Sequence, residues 1–262
     1  DFMNGDSETQ ESTEERTSDI IKNSKEIMAL LERDGISLDE VDDYKRYPIA
    51  DNNSPRLSAD RFEYTFSSGL TFFRVWELDK IRKMYQNIVV DKNEDGNDEL
   101  VFKDKEVCEE YIHIISKLWP EWISDRDRTS MQFIADMCKS MNVAGYLTID
   151  DLYELSEEEI INKILNCEDK YLAESFKKFQ NTTEVYSSDN FIEGKYSIYT
   201  KVKVRYVNPL VQHNNKTVRI TEISVSAKQD IENFLKLPNE GYTYFDFDFK
   251  PYTDENKRLV KN

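Results

Sequence analysis

Ser58-Ala59-Asp60-Arg61-Phe62-Glu63-Tyr64 reads as the opening of a helix. A serine at the N-cap accepts a hydrogen bond from a backbone N–H that the helix itself leaves unpaired. An acid in the first turn, here Asp60, interacts well with the positive end of the helix dipole. With Ser58 as the cap, Tyr64 stands four residues beyond Asp60 and shares its face. Just upstream, Pro48 and Pro55 bracket an acidic, Asn-rich loop at 50–54, so the helix has a defined start.

Helical signals extend from this point in both directions. Ser12 with Glu15 fits a capping box, Ile20, Ser24, Ile27, Met28 and Leu31 recur at helical spacing, and Gly35 suits a C′ position. Together they predict a helix over 13–33, followed by a short one over 37–44. Downstream, the spacing predicts helices near 76–89, 104–118 and 127–142. The last carries Met131, Ile134, Ala135, Cys138 and Met141 as its inner face. A short strand is expected at 99–103. Thr148 with Asp151 and Ser156 with Glu159 are further helix starts, for 152–155 and 160–165, and 171–179 reads as helix too.

After Asn181 the pattern changes. Residues 183–186, 196–206 and 217–223 alternate apolar with polar side chains and are rich in Val, Ile, Thr and Tyr, which favours strands. Residues 226–237 return to helix, and 242–249 read as a final strand. The expected fold class is mainly α: a helical domain over 1–180 and a smaller α+β section with antiparallel strands over 181–262.

Composition narrows the function classes. A chain of 262 residues with 39% hydrophobic residues can bury a full core, and no apolar run is long enough to cross a bilayer. Cys108, Cys138 and Cys167 are odd in number and widely spaced, which suits free thiols in a reducing cytoplasm. The net charge of −17 excludes general nucleic-acid binding, which needs a broad basic footprint. A small phosphorylated substrate is compatible with it, because one cation and a few convergent Arg or Lys reverse the field inside one cleft.

Several stretches, in order, resemble the HD-type metal-dependent phosphohydrolases, in particular the deoxynucleoside triphosphate triphosphohydrolase-like members. Asp60-Arg61-Phe62-Glu63-Tyr64 matches their Asp-Arg/Lys-x-Asp/Glu-Tyr segment, and Tyr47-Pro48-Ile49-Ala50-Asp51-Asn52-Asn53-Ser54-Pro55-Arg56-Leu57 is similar to the loop before it. Arg205-Tyr206-Val207-Asn208-Pro209-Leu210-Val211 and Arg219-Ile220-Thr221-Glu222 resemble a late β-hairpin of the family, and 152–165 one of its late helices. The resemblance implies an HD-type helical core and hydrolysis of a nucleotide or deoxynucleotide phosphate. It implies a divalent metal ion (Mn, Mg, Fe, Ni or Zn alike) bound through Asp60, with Arg61 and Tyr64 facing substrate phosphate. Glu11, in Gln10-Glu11-Ser12-Thr13, falls where members carry a catalytic glutamate, although Gln10 replaces the His that can precede it. Many members form homo-oligomers.

The chain also departs from the family. Its metal site needs a His and an adjacent His-Asp pair, whereas this sequence holds only His113 and His213, neither followed by Asp. Asp1-Phe2-Met3-Asn4-Gly5-Asp6 resembles the stretch just downstream of that pair. The expectation is a C-terminal portion of such an enzyme, inactive alone because one carboxylate holds a divalent ion poorly. The competing expectation is a non-catalytic HD-like regulatory or protein-interaction domain.

Other motifs carry less. Asp91-Lys92-Asn93-Glu94-Asp95-Gly96 follows the first half of an EF-hand loop, but position twelve is Phe102 rather than a bidentate Glu. An acidic turn leading into the 100–102 strand is expected instead. Lys201, Lys203 and Arg205 alternate with Val202, Val204 and Tyr206, as on the solvent face of a strand, with a phosphate contact as the alternative. His113 on a long helix reads as structural, His213 as part of the polar turn 212–216, and Trp119-Pro120-Glu121-Trp122 as a packed helix end.

Overall fold

The computed structural model describes residues 2–10 and 16–253, and of Tyr44 only the backbone. Glu11 and the Ser12–Glu15 capping box lie outside the described residues. In chain order the first elements are α1 (Thr17–Asn23), α2 (Lys25–Asp34), α3 (Ala59–Thr71), α4 (Leu78–Asn87), β1 (Ile88–Lys92), β2 (Asp98–Phe102) and α5 (Lys105–Ile115). Next come α6 (Asp125–Ala144), α7 (Asp151–Glu154), α8 (Glu157–Leu165), α9 (Lys170–Gln180), β3 (Tyr186–Ser188) and β4 (Tyr196–Lys201). The chain closes with β5 (Leu210–His213), β6 (Lys216–Arg219), α10 (Ile220–Ile223), α11 (Val225–Leu235) and β7 (Glu240–Phe245). The protein is mainly helical, with two small sheets.

These elements form two compact units. One comprises Thr13–Trp122 and Val204–Leu237, the other Asp1–Ser12, Ile123–Lys203 and Pro238–Asn262. A division at residue 181 is therefore not how the chain packs. The strands after 181 separate: β5 and β6 join β1 and β2 in the order β1-β2-β5-β6, while β3, β7 and β4 form their own sheet. Sequence distance does not determine strand partnership; burial of each apolar face does.

In the first unit, β2 runs antiparallel to β1 and parallel to β5, with Val101 beside Leu210. Val101, Phe102, Leu210 and Val211 of this sheet and Tyr111 and Ile112 of α5 are all buried, and the Phe102 ring meets that of Tyr111 at 5.3 Å. Phe62 of α3 adds edge-on contacts, its ring 4.7 Å from Phe66, 5.0 Å from Tyr85 and 6.1 Å from Phe102. Gly69 allows Trp76 to lie on α3, since a Cβ there would come within 2.4 Å of the indole. Trp119 is buried against Phe234 of α11 and Tyr206, as a packed helix end should be.

The second unit is built on an aromatic cluster. Phe133 of α6 touches Phe179, Tyr196, Phe245, Phe247 and Phe249, with centroids 4.5 to 5.9 Å away. Met137, Met141, Leu147, Ile164 and Leu172 complete this core. Ser156 and Glu159 form the expected capping box of α8, and Thr148 and Asp151 exchange the same two bonds at α7.

The expected helix over 13–33 is broken. Ser24 leaves the helical region (φ −82°, ψ 104°) and its side chain caps α2 by accepting from Ile27 N. A serine within an apolar stripe thus starts a new helix rather than continuing the old one. Neither α1 nor α2 has a buried residue. On α6 the expected inner face is half right. Ala135, Cys138 and Met141 are buried, but Met131 and Ile134 are exposed, and Phe133 and Met137 face the core. Both stripes obey helical spacing, and the packing partner selects between them. Residues 37–44 give only a single 3₁₀ turn at Leu38–Glu40, held by the Ser37–Glu40 capping box, and a second at Tyr44–Arg46.

The expected strand over 196–206 ends at Lys201, and that over 217–223 ends at Arg219, where α10 begins. Asn214 and Asn215, both at positive φ (50° and 59°), make the β5–β6 turn, which needs this left-handed geometry. Residues 93–97 form the β1–β2 turn. Asn93 Oδ1 accepts from the N–H groups of Asp95 and Asn97, so the EF-hand-like stretch is a hairpin turn.

Candidate functional site

Asp60, Arg61 and Tyr64 lie on the first two turns of α3, beginning at the expected cap. Ser58 is fully buried and its Oγ accepts from Arg61 N at 3.2 Å. The two N–H groups before it donate to the preceding loop, Ala59 to Ile49 O at 2.8 Å and Asp60 to Ala50 O at 3.1 Å. The start of α3 is thus satisfied by its own chain, which leaves no open nest for an anion there.

Arg61 braces this loop. Its Nη1 donates to Asn52 Oδ1 at 2.7 Å and more weakly to Arg56 O and Ser58 Oγ, while Nη2 pairs with Asp51 Oδ1 at 3.2 Å. Asn52 in turn donates to Pro48 O. The loop is pinned from the other side by residues far along the chain: Ser54 Oγ donates to Tyr206 O at 2.8 Å, and Asn208 N donates to Pro55 O at 2.7 Å.

Asp60 is exposed, and its carboxyl is pushed up by partial desolvation and then by the carboxylate of Asp51, with Arg61 and Arg205 opposing. Tyr64 is half-buried beside Trp122, with ring centroids 5.6 Å apart. Desolvation raises its phenol against the pull of Arg61 and Arg205, so it stays an O–H donor at neutral pH. Asp51, Arg61 and Arg205 thus all act on the charges of Asp60 and Tyr64 at the start of α3. Asp51 and Arg205 belong to this group although neither was singled out for it from the sequence. Their signals were membership of the family-like stretches 47–57 and 205–211 and, for Arg205, a place in the basic row whose alternative reading was a phosphate contact.

Beneath the loop sits a buried ion pair that sequence reading missed. Glu99 is fully buried, and Arg219 meets it with Nη1 at 2.6 Å from Oε1 and Nη2 at 2.9 Å from Oε2. Leu57 N, at 3.1 Å, and Asn93 Nδ2, at 3.1 Å, donate to the same carboxylate. Arg219 also bonds Glu94 and Asn208 O, and its guanidinium is raised further by these acids despite burial. One carboxylate thus ties β2, β6, the β1–β2 turn and the residue before the Ser58 cap together. In sequence, Glu99 is only a polar residue at the start of a strand.

The described residues do not fit a divalent metal. Among them no group of three or more His, Cys, Asp and Glu side chains converges, and the acids that act on Asp60, Asp51 and Glu63, are opposed by Arg61 and Arg205. His113 is exposed beside Asp230, Nδ1 to Oδ2 3.2 Å, and His213 contacts Asn214. The basic row does not form a strand face. Lys201 ends β4 and pairs with Glu8 at 2.6 Å, Lys203 donates to Thr9 O at 3.0 Å, and Arg205 lies in the irregular stretch 202–209.

No protein-family model matches the chain, and no curated protein matches it. No helix among the described residues is long and apolar enough to cross a membrane. The three cysteines are free thiols, with Cys108 and Cys138 buried and pushed up by desolvation.

Proposed function

We propose that the chain is part of an HD-type phosphohydrolase acting on a nucleotide or deoxynucleotide phosphate. In this reading Asp60 is a ligand and Arg61 and Tyr64 lie at the substrate's phosphate end. One observation supports it above the others. Arg205, from the distant stretch that resembles the family's late hairpin, is close enough to act on the charge of both Asp60 and Tyr64. Both stretches that carry the resemblance thus bear on the charge of the same groups. Free thiols suit the reducing cytoplasm this reading assumes.

The donor set limits what these residues do alone. The His and the His-Asp pair are not among the 262 residues, and Arg61 is engaged by its own loop. The reading therefore applies to a polypeptide that supplies those ligands, and this chain by itself is inactive. The same two facts favour the second reading, a non-catalytic HD-like regulatory or interaction domain.

A phosphate-release assay with manganese over a nucleotide panel separates them. The 262-residue chain is expected to be silent, and a polypeptide that adds the His and His-Asp ligands is expected to be active. Asp60→Ala in the latter should abolish turnover. Full activity in that variant, or silence of the completed polypeptide, would overturn the enzyme reading and leave the second.

A further inference from the structure

The sheet β3-β7-β4 has one face against α6 and one in solvent. The inner face carries Tyr196, Thr243 and Phe245, all buried. On the outer face the register places Tyr186 beside Tyr244 and Tyr199 beside Tyr242. Residues 242 and 244 are two apart on β7, so all four rings share that side. Tyr186 and Tyr244 stack with centroids 5.2 Å apart and planes at 24°, and Tyr199 meets Tyr242 edge-on at 5.1 Å. Tyr186 and Tyr199 remain 41% and 55% exposed, which is costly area for a sheet face that serves no partner.

The charges of the surrounding segments that lack an ion-pair partner among the described residues have one sign. Glu184, just before β3, and Asp189 and Glu193, just after it, are exposed and form no ion pair among the described residues. Glu240 opens β7 on the tyrosine side, opposite Lys201. The two lysines here are already compensated, Lys195 by Asp246 and Lys201 by Glu8. Carboxylates and the negative faces of aromatic rings attract the same ligand, a flat, weakly hydrated cation. They repel polyanions, anionic lipid surfaces and a second copy of the same acidic face.

We propose that the tyrosine face of β3-β7-β4 is a docking surface for an arginine-bearing basic segment of a partner protein. Guanidinium groups lie over Tyr186, Tyr199, Tyr242 and Tyr244, and the bordering Glu184, Asp189, Glu193 and Glu240 supply the counter-charge. This docking does not depend on any phosphohydrolase activity.

Fluorescence anisotropy with a labelled (Arg-Ser)4 peptide tests it on the full chain. A net charge of −17 attracts any basic peptide to some extent, so the variants decide the outcome. Tyr199→Ala with Tyr242→Ala should weaken binding about tenfold. Tyr199→Phe with Tyr242→Phe should leave it unchanged, and so should Phe72→Ala, an exposed aromatic of the other unit. Circular dichroism of each variant checks that the fold is kept. Binding that follows ionic strength alone and ignores the tyrosine-to-alanine change overturns the proposal. So does tighter binding of a proline-rich peptide, of oligothymidylate or of the chain to itself.

Discussion

The two units solve the same problem with different chemistry. Each must hold a small sheet against helices. The β3-β7-β4 unit does so through Phe133 and the rings around it, and its half-buried carboxylate Asp136 accepts from two neutral donors, Tyr196 Oη at 2.8 Å and Gln132 Nε2 at 3.0 Å. The β1-β2-β5-β6 unit also has an aromatic core but adds a charged clamp, the fully buried Glu99 with the largely buried Arg219. Aromatic packing depends on shape and ring orientation and leaves no charge to neutralise. A bidentate buried pair fixes register and holds the loop before α3 in one place, at the cost of desolvating both charges.

That contrast can be broken by experiment. Phe133→Ala should have the largest effect, removing about 3–5 kcal/mol because the cavity it leaves cannot fully collapse. Trp76, Trp119 and Trp122 all lie in the clamped unit, so far-UV circular dichroism should register the loss at lower denaturant than tryptophan fluorescence does. Coincident transitions would show that the units do not melt separately.

Glu99→Gln comes next. It leaves the largely buried Arg219 with only the exposed Glu94 as counter-charge and should cost about 3 kcal/mol, read by the tryptophan transition. Adding Arg219→Met should recover part of that loss. If both single variants are silent, the clamp is not what holds this unit.

Asp136 gives a smaller effect of opposite character. Desolvation holds its carboxyl above the ordinary value against the bonds from Tyr196 and Gln132, so the fold favours the neutral acid. Its stabilising contribution is present at low pH and is lost as pH rises through the raised pKa. Asp136→Asn should flatten this part of the pH–stability curve, and an unchanged slope would refute the assignment. The smallest effect is expected at α8. Ser156→Ala should cost about 1 kcal/mol. Glu159, held below the usual range by its bonds to Ser156, should lose its cap only as pH falls through that lowered value.

Much of the site was legible in sequence because its signals are local. The Ser58 cap, the first-turn acid and the four-residue step to Tyr64 concern one backbone segment, and α3 begins where they place it. The engagement of Arg61 by Asp51 and Asn52 was not legible, because the conformation of the loop decides where a long side chain finds its partners. The approach of Arg205 and the Glu99–Arg219 pair join residues more than a hundred positions apart, and no spacing rule reaches that far.

The sequence by itself determined where helices can begin. Caps at Ser24, Ser58, Ser124, Ser156 and Ser224 each satisfy their own backbone, whatever the rest of the chain does. Tertiary structure alone decided which stripe of α6 is buried, where β4 ends, and that the late strands divide between two sheets. Those outcomes depend on which apolar faces and buried charges find partners, and such partners exist only once distant segments meet.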